Sequence, residues 1–184
     1  MQYILPSIRL WLVTFSVCVV LYTALILGFA QAAVPFSANG SLVNVGGKVV
    51  GSELVAQKFT NPRYVWPRPS ASDYNAMGAA GSNKSPTSPD LTKRAKETIA
   101  AYGATTANPI SADLVAASGG GLDPHVSLAG ALYQAERVAA ARGLPRAEVE
   151  RLIEAQATSV GGPLAPERIV NVLQLNLALD RLGR

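Results

Sequence analysis

Between Leu10 and Ala30 the chain reads LWLVTFSVCVVLYTALILGFA, 21 consecutive uncharged and mostly apolar residues. At roughly 1.5 Å rise per residue, a helix of that length covers the roughly 30 Å hydrocarbon core of a bilayer. The run therefore predicts a transmembrane helix over residues 10–32. Ser7 is placed to cap its start after Pro6, with Trp11 at one membrane interface and Phe29 and Phe36 near the other. Ala30-Gln31-Ala32 resembles a signal-peptidase site, but a signal peptide's apolar region usually runs about 7–15 residues, so a retained anchor is expected.

Flanking charge sets the expected orientation. Arg9 precedes the apolar run and nothing charged follows it until Lys48, which holds residues 1–9 in the cytoplasm and sends residues 33–184 outward. Elsewhere the chain has no apolar run long enough to span, so the expected topology is a single pass. With Cys18 the only cysteine and His125 the only histidine, neither a disulfide framework nor a Cys-based zinc site can form. The formal net charge is +4 without a run of like charge, which gives no nucleic-acid footprint.

The rest of the chain reads as an α+β domain. Leu42–Val45 and Lys48–Val50 flank Gly46-Gly47 as in a hairpin. Ser52 is placed to cap a short helix through Phe59, and Tyr64-Val65-Trp66 reads as a short strand among ordered Pro- and Gly-rich loops. Asp90 can cap a helix with the stripe Leu91, Ala95, Ile99 and Tyr102, ended by Gly103. A shorter helix follows Ser111. Ser127 caps the clearest helix, with Leu128, Ala131, Leu132, Ala135 and Val138 on one face and Gly143 at its end. Pro145 suits the first turn of the next, whose stripe is Val149, Leu152, Ile153 and Gln156. After Pro166-Glu167, strand and helix periods compete over IVNVLQLNLALDRL: Leu173, Leu175, Leu177 and Leu179 alternate, while Val172, Leu175, Leu179 and Leu182 fit a helix, which the length and the Pro-Glu start favour.

Two loop stretches carry candidate chemistry. In Trp66-Pro67-Arg68-Pro69-Ser70, the prolines fix a turn and present Arg68 as a planar donor fork, with Asn83 downstream in Gly81-Ser82-Asn83. A core Trp66 with loop architecture around it explains the same residues. In Ser118-Gly119-Gly120-Gly121-Leu122-Asp123-Pro124-His125, three glycines free the backbone to turn N–H groups toward an anion. A tight turn after the preceding helix needs them equally. A hydrolase built on Ser118, Asp123 and His125 is the enzymatic alternative, although no G-x-S-x-G elbow is present because position 116 is Ala. Gly47-Lys48 lacks both the upstream glycine and the following Ser or Thr of a P-loop, and neither a D-K-T-G nor a T-V-G-Y-G motif occurs. Within the anchor, Ala24 and Gly28 form a small-xxx-small pair that lets another helix approach closely.

The segments GSELVAQKF, YVWPRPS, DYNA, GSN, SADLVAASGGGLDPHVS, YQAERVAAARGL and VNVLQLNLALD, in this order behind one N-terminal membrane helix, resemble the KdpC family, the C subunits of the Kdp potassium-transporting ATPase. The resemblance implies a non-catalytic accessory subunit in a bacterial inner-membrane complex that imports potassium at the expense of ATP. Its implied partners are a channel-like A subunit (KdpA), a P-type ATPase B subunit (KdpB), a small F subunit (KdpF) and membrane lipid. It further implies a catalytic-chaperone role in which Ser118–Pro124 helps the B subunit hold ATP. That role conflicts with the charge-derived orientation, which puts the loop on the side where ATP is scarce. An anchored envelope hydrolase and a surface binding module unrelated to transport are the two alternatives outside this family.

Overall fold

The computed structural model describes residues 3–160 and 167–182. The chain divides into two compact units between Val49 and Val50.

The first unit is dominated by one apolar helix, Ile4–Ala33, the one segment among the described residues long and apolar enough to cross a membrane. It consists of α1 (Ile4–Phe15), a π-helical segment (Ser16–Leu21) and α2 (Tyr22–Ala33). In the middle segment the hydrogen bonds lengthen by one residue, as where the Tyr22 N–H donates to the Val17 carbonyl. The helix starts earlier than the apolar run, after Tyr3, and Ser7 does not cap it. Already inside the first turn, the Ser7 hydroxyl donates back to the Tyr3 carbonyl at 2.7 Å. A short helix, α3 (Pro35–Ala38), follows, and then the predicted hairpin: β1 (Leu42–Val45) pairs across Gly46 and Gly47, both at positive φ, with β2 (Lys48–Ser52), a strand that begins in this unit and runs on into the next.

The second unit is mixed helix and sheet. Its helices are α4 (Pro89–Tyr102), α5 (Ala112–Val115), α6 (Leu128–Tyr133), α7 (Ala135–Arg142), α8 (Arg146–Gln156) and α9 (Val172–Leu182). Its sheet is antiparallel, in the order β3 (His125–Ser127), β5 (Arg168–Asn171), β4 (Thr158–Ser159). Val126 lies opposite Val170 in the centre, and both are buried. Around them Leu114, Ala131, Ala135, Val138, Val149, Ile153, Leu175 and Leu179 close one apolar core. This is the α+β class that the alternation of patterns predicts, behind one membrane-length helix.

Several local expectations differ from the observed structure. Ser52 ends β2 and its hydroxyl accepts the Leu54 N–H at 3.1 Å, forming a turn where a helix was expected. Asp90 lies in the first turn of α4, whose cap position is Ser88; Pro89 takes the first helical place, where its missing N–H costs nothing. On the α4 stripe Ile99 is exposed, and Gln156 on the α8 stripe is exposed as well. Ser127 does cap α6, accepting the Gly130 N–H at 2.9 Å, but the helix it starts breaks at Gln134 before α7 resumes. Pro145 is the cap residue of α8, not its first turn. The last helix begins only at Val172, because Arg168–Asn171 are taken into the sheet; Pro166 lies outside the described residues. Gly103 and Gly143 end α4 and α7 in the left-handed conformation as the sequence predicts.

Candidate functional site

Tyr64-Val65-Trp66 belongs to no sheet, and the Tyr64 N–H closes a turn on the Asn61 carbonyl at 3.1 Å. The prolines at 67 and 69 remove the N–H groups a strand would donate, and two buried side-chain amides supply the missing partners. Asn176 of α9 accepts the Val65 N–H at 2.8 Å and donates to the Val65 carbonyl at 2.9 Å. Gln134, at the α6–α7 break, does the same for Trp66, at 2.8 and 3.0 Å. The two amides thus grip the segment from two helical elements. Arg137 covers the Trp66 ring at 3.7 Å from its centroid and donates to the Pro62 and Tyr64 carbonyls. Val65 is the fully buried core residue here, and Trp66 is half-buried.

Held this way, the 66–70 stretch meets the triple-glycine loop. The Ser118 N–H donates to the Pro69 carbonyl at 3.1 Å, and Arg68 Nη1 sits 3.0 Å from Asp123 Oδ2. Gly121 has φ +71°, and a Cβ there would stand 2.5 Å from Ser72 Oγ, 2.9 Å from the Ala80 carbonyl oxygen and 3.0 Å from Ser70 Oγ. A Cβ on Gly81 would lie 2.6 Å from the Gly119 carbonyl oxygen. Only glycine satisfies both approaches. Ser70 Oγ in turn accepts the Ser72 and Tyr74 N–H groups at 3.2 and 2.9 Å, while the Tyr74 hydroxyl donates to the Arg68 carbonyl at 2.9 Å. Burial, with the Asp73 carboxylate adding to it, pushes the Tyr74 hydroxyl up to about 12 and keeps it a donor. The two candidate stretches thus form one clasp. Gly119 and Gly120 face open space at the positions a side chain would take. Asn83 is exposed at φ +49°, a conformation Asn tolerates better than most residues.

Asp123 and His125 do not form a hydrolytic constellation with Ser118. Ser118 is buried, its backbone joins Pro69 and Gly121, and among the described residues no hydrogen bond links it to His125. His125 lies in β3 with Nδ1 at 3.5 Å from Asp123 Oδ1, and its backbone N–H donates to the same oxygen at 3.0 Å. The His125 side chain, the His125 backbone N–H and Arg68 hold the Asp123 carboxyl below its usual range against the opposing effect of burial. A cleft of about 170 Å³ opens beside this pair, lined by Arg68, Asp113, Asp123, His125, Ser127 and Glu167. Asp113 is the residue that sequence reasoning missed. Burial raises its pKa, but hydrogen bonds from the Ser111 hydroxyl and from Ser127 outweigh that and lower it overall; the Ser127 N–H lies at 2.7 Å. Gln134 and Asn176 were missed as well, and their signal is an amide set inside an apolar stripe. Among the described residues, no three His, Cys, Asp or Glu side chains gather closely enough for a metal. In the first unit, Ala24 and Gly28 share one face of α2, and the Cβ position of Gly28 meets nothing within 4 Å.

These features define a class of protein: a small α+β domain carried on one membrane-length helix, whose special backbone geometry is spent on locking two loops together. A family model described as "KdpC: K+-transporting ATPase, c chain" matches residues 4–181. The chain is 60% identical over 183 residues to the potassium-transporting ATPase KdpC subunit of Parvibaculum lavamentivorans, covering 99% of this chain and 98% of that protein. It is 44% identical over 188 residues to the KdpC subunit of Serratia proteamaculans, covering 99% and 100%, and 47% identical over 181 residues to that of Sorangium cellulosum, covering 95% of each. The chain belongs to the KdpC family.

Proposed function

We propose that this chain is the non-catalytic accessory subunit of an ATP-driven potassium-import complex in the inner membrane, and that it works by docking. In this reading the helix over residues 10–32 crosses the membrane once, residues 1–9 are cytoplasmic and residues 33–184 lie outside. The clasp around Trp66, Arg68, Ser70 and Asn83 and the Ser118–His125 loop face the channel-like subunit KdpA near its outer entrance. KdpB supplies ATP hydrolysis from the cytoplasmic side, and KdpF completes the assembly in the lipid.

The observation that carries this reading is the clasp itself. Gly121 and Gly81 are both used up by contacts within the chain, which supports a rigid recognition surface. The alternative, direct contact of Ser118–Pro124 with ATP held on KdpB, requires the domain on the other side of the membrane. Protease added to right-side-out spheroplasts separates the two. Digestion of the domain with retention of residues 1–32 supports docking from outside, whereas full protection overturns it. Nucleotide-dependent hydrogen-exchange protection of Gly119–Gly121 in sealed vesicles given ATP only from outside, with activity lost but assembly intact on replacing Gly120 by a bulky residue, would also sink the reading.

A further inference from the structure

We propose that Met77 is the anchor with which this domain seats in an apolar crevice of a neighbouring protein subunit; the inference rests on the accessory-subunit reading above. Met77 is 96% exposed, the most exposed large hydrophobic side chain among the described residues. A single exposed apolar residue is ordinary on a protein surface. What distinguishes this one is how it is presented.

Met77 stands on a braced turn. Its N–H donates to Asn75 Oδ1 at 3.0 Å, and the Gly78 N–H closes back on the Asn75 carbonyl at 3.0 Å. Immediately before the turn, Asp73 and Tyr74 both have positive φ, held there by the Ser70 hydroxyl and by the bond from the Tyr74 hydroxyl to Arg68. After it, Gly81 abuts the Gly119 carbonyl. The loop is thereby tied to the clasp at both ends, and a backbone fixed in advance loses less freedom on docking.

The chemistry of the segment selects the partner. From Tyr74 to Asn83 the sequence YNAMGAAGSN carries no charge. The charges on either side are neutralised within the chain, Asp73 by Lys58 at 2.7 Å and Lys84 by Asp90 at 2.7 Å. An uncharged surface whose neighbours Ala76, Gly78, Ala79 and Ala80 are all small leaves one flexible thioether projecting, a shape that fits a crevice. Charge complementarity makes that crevice apolar and uncharged. A bilayer surface fits less well, since insertion takes several large apolar or aromatic residues with a cationic rim, and here there is one such side chain and no free cation in the loop.

The test uses the full complex, purified through a tag on another subunit, with the chain carrying Met77→Asp, Met77→Leu or, as a control at another exposed apolar position, Val160→Asp. Met77→Asp is expected to cut the amount of chain retained after a detergent wash about tenfold, with Met77→Leu and Val160→Asp within about twofold of wild type. A benzophenone amino acid at position 77 should crosslink to a protein subunit. Retention of Met77→Asp at the wild-type level, or a position-77 adduct found only on phospholipid, overturns the proposal while wild-type co-purification leaves the accessory reading standing. Failure of the wild-type chain to co-purify sinks both.

Discussion

Gly121 and Gly120 are neighbours in one loop, yet the structure predicts opposite consequences for adding a single methyl group to each. At Gly121 an alanine must hold φ near +71°, a left-handed conformation costing an L-residue about 1–2 kcal/mol. Its Cβ would also press on the Ala80 carbonyl at 2.9 Å and on two serine hydroxyls at 2.5 and 3.0 Å. The hydroxyls can rotate away, at the expense of the bonds Ser70 makes to Ser72 and Tyr74, but the carbonyl is backbone and moves only with its loop. Overpacking of that kind costs roughly 1–3 kcal/mol. The sum, about 2–5 kcal/mol, corresponds to a fall in melting temperature of roughly 10 °C for a domain of this size. At Gly120 nothing lies within 4 Å of the added carbon, so the change should stay within about 0.5 kcal/mol. Thermal and urea unfolding of the full chain in detergent, followed by tryptophan fluorescence, measures both, since Trp66 lies beside the clasp. Equal stability of Gly121→Ala and Gly120→Ala would refute the argument that the glycines serve the contact between the two loops.

Asn176→Leu should cost roughly 2–5 kcal/mol, because it strands the buried N–H and carbonyl of Val65 together; urea unfolding reads it directly. Arg142 donates to the Leu179 carbonyl, the Arg63 carbonyl and Asp180 with its side chain 2% exposed, so Arg142→Met should destabilise by about 2–4 kcal/mol, checked by the same unfolding curve. Asp113 and Asp123 both have lowered folded pKa values, so their stabilisation is complete above the ordinary carboxylate value of about 3.9 and is lost as pH falls through the lowered ones; Asp123→Asn should flatten the acid limb of a stability-against-pH curve. Ile at both Ala24 and Gly28 should weaken co-purification with the membrane partners, and intact assembly alongside disruption by changes at Val17 and Leu21 would assign the packing to the other face.

Most of what was legible in the sequence is decided within one segment, although the caps placed at Ser7 and Asp90 and the first turn placed at Pro145 were local readings that failed. The membrane-length helix, the Gly46-Gly47 hairpin, the Ser127 cap and the left-handed ends at Gly103 and Gly143 depend on local geometry alone, and they stand. The early start of the last helix failed because pairing with distant residues decides it: Arg168–Asn171 lie opposite His125–Ser127 and Thr158–Ser159. The helix expected after Ser52 failed locally, where Ser52 bridges to Val55 three residues on and its hydroxyl takes the Leu54 N–H. In the candidate site each stretch could be picked out, but not their meeting. The contact of Gly121 with Ser70, Ser72 and Ala80 spans some forty to fifty residues, and no pattern within either loop encodes it.

The segment through Val65 shows why such a meeting needs side chains no periodicity flags. A strand at this position would have to end at Pro67, and its ladder bonds would have to come from a neighbouring strand. Asn176 and Gln134 replace that neighbour: each amide offers one acceptor and one donor at the spacing of a backbone peptide group. Both are buried, at 2% and 1% exposure, which only a fully satisfied polar group tolerates cheaply. The segment is therefore fixed in direction and depth without being part of a sheet, and the residues after it, Arg68 to Tyr74, leave the core at a set angle toward the triple-glycine loop. Exchanging an amide for its acid removes the donor and keeps the shape. Gln134→Glu should accordingly loosen Trp66 and the clasp together, seen as faster hydrogen exchange at Ser118 and Gly121, while the distant Val126–Val170 pairing keeps its protection. If exchange rises equally throughout the domain, the amide supports the core as a whole, and the clasp does not depend on it in particular.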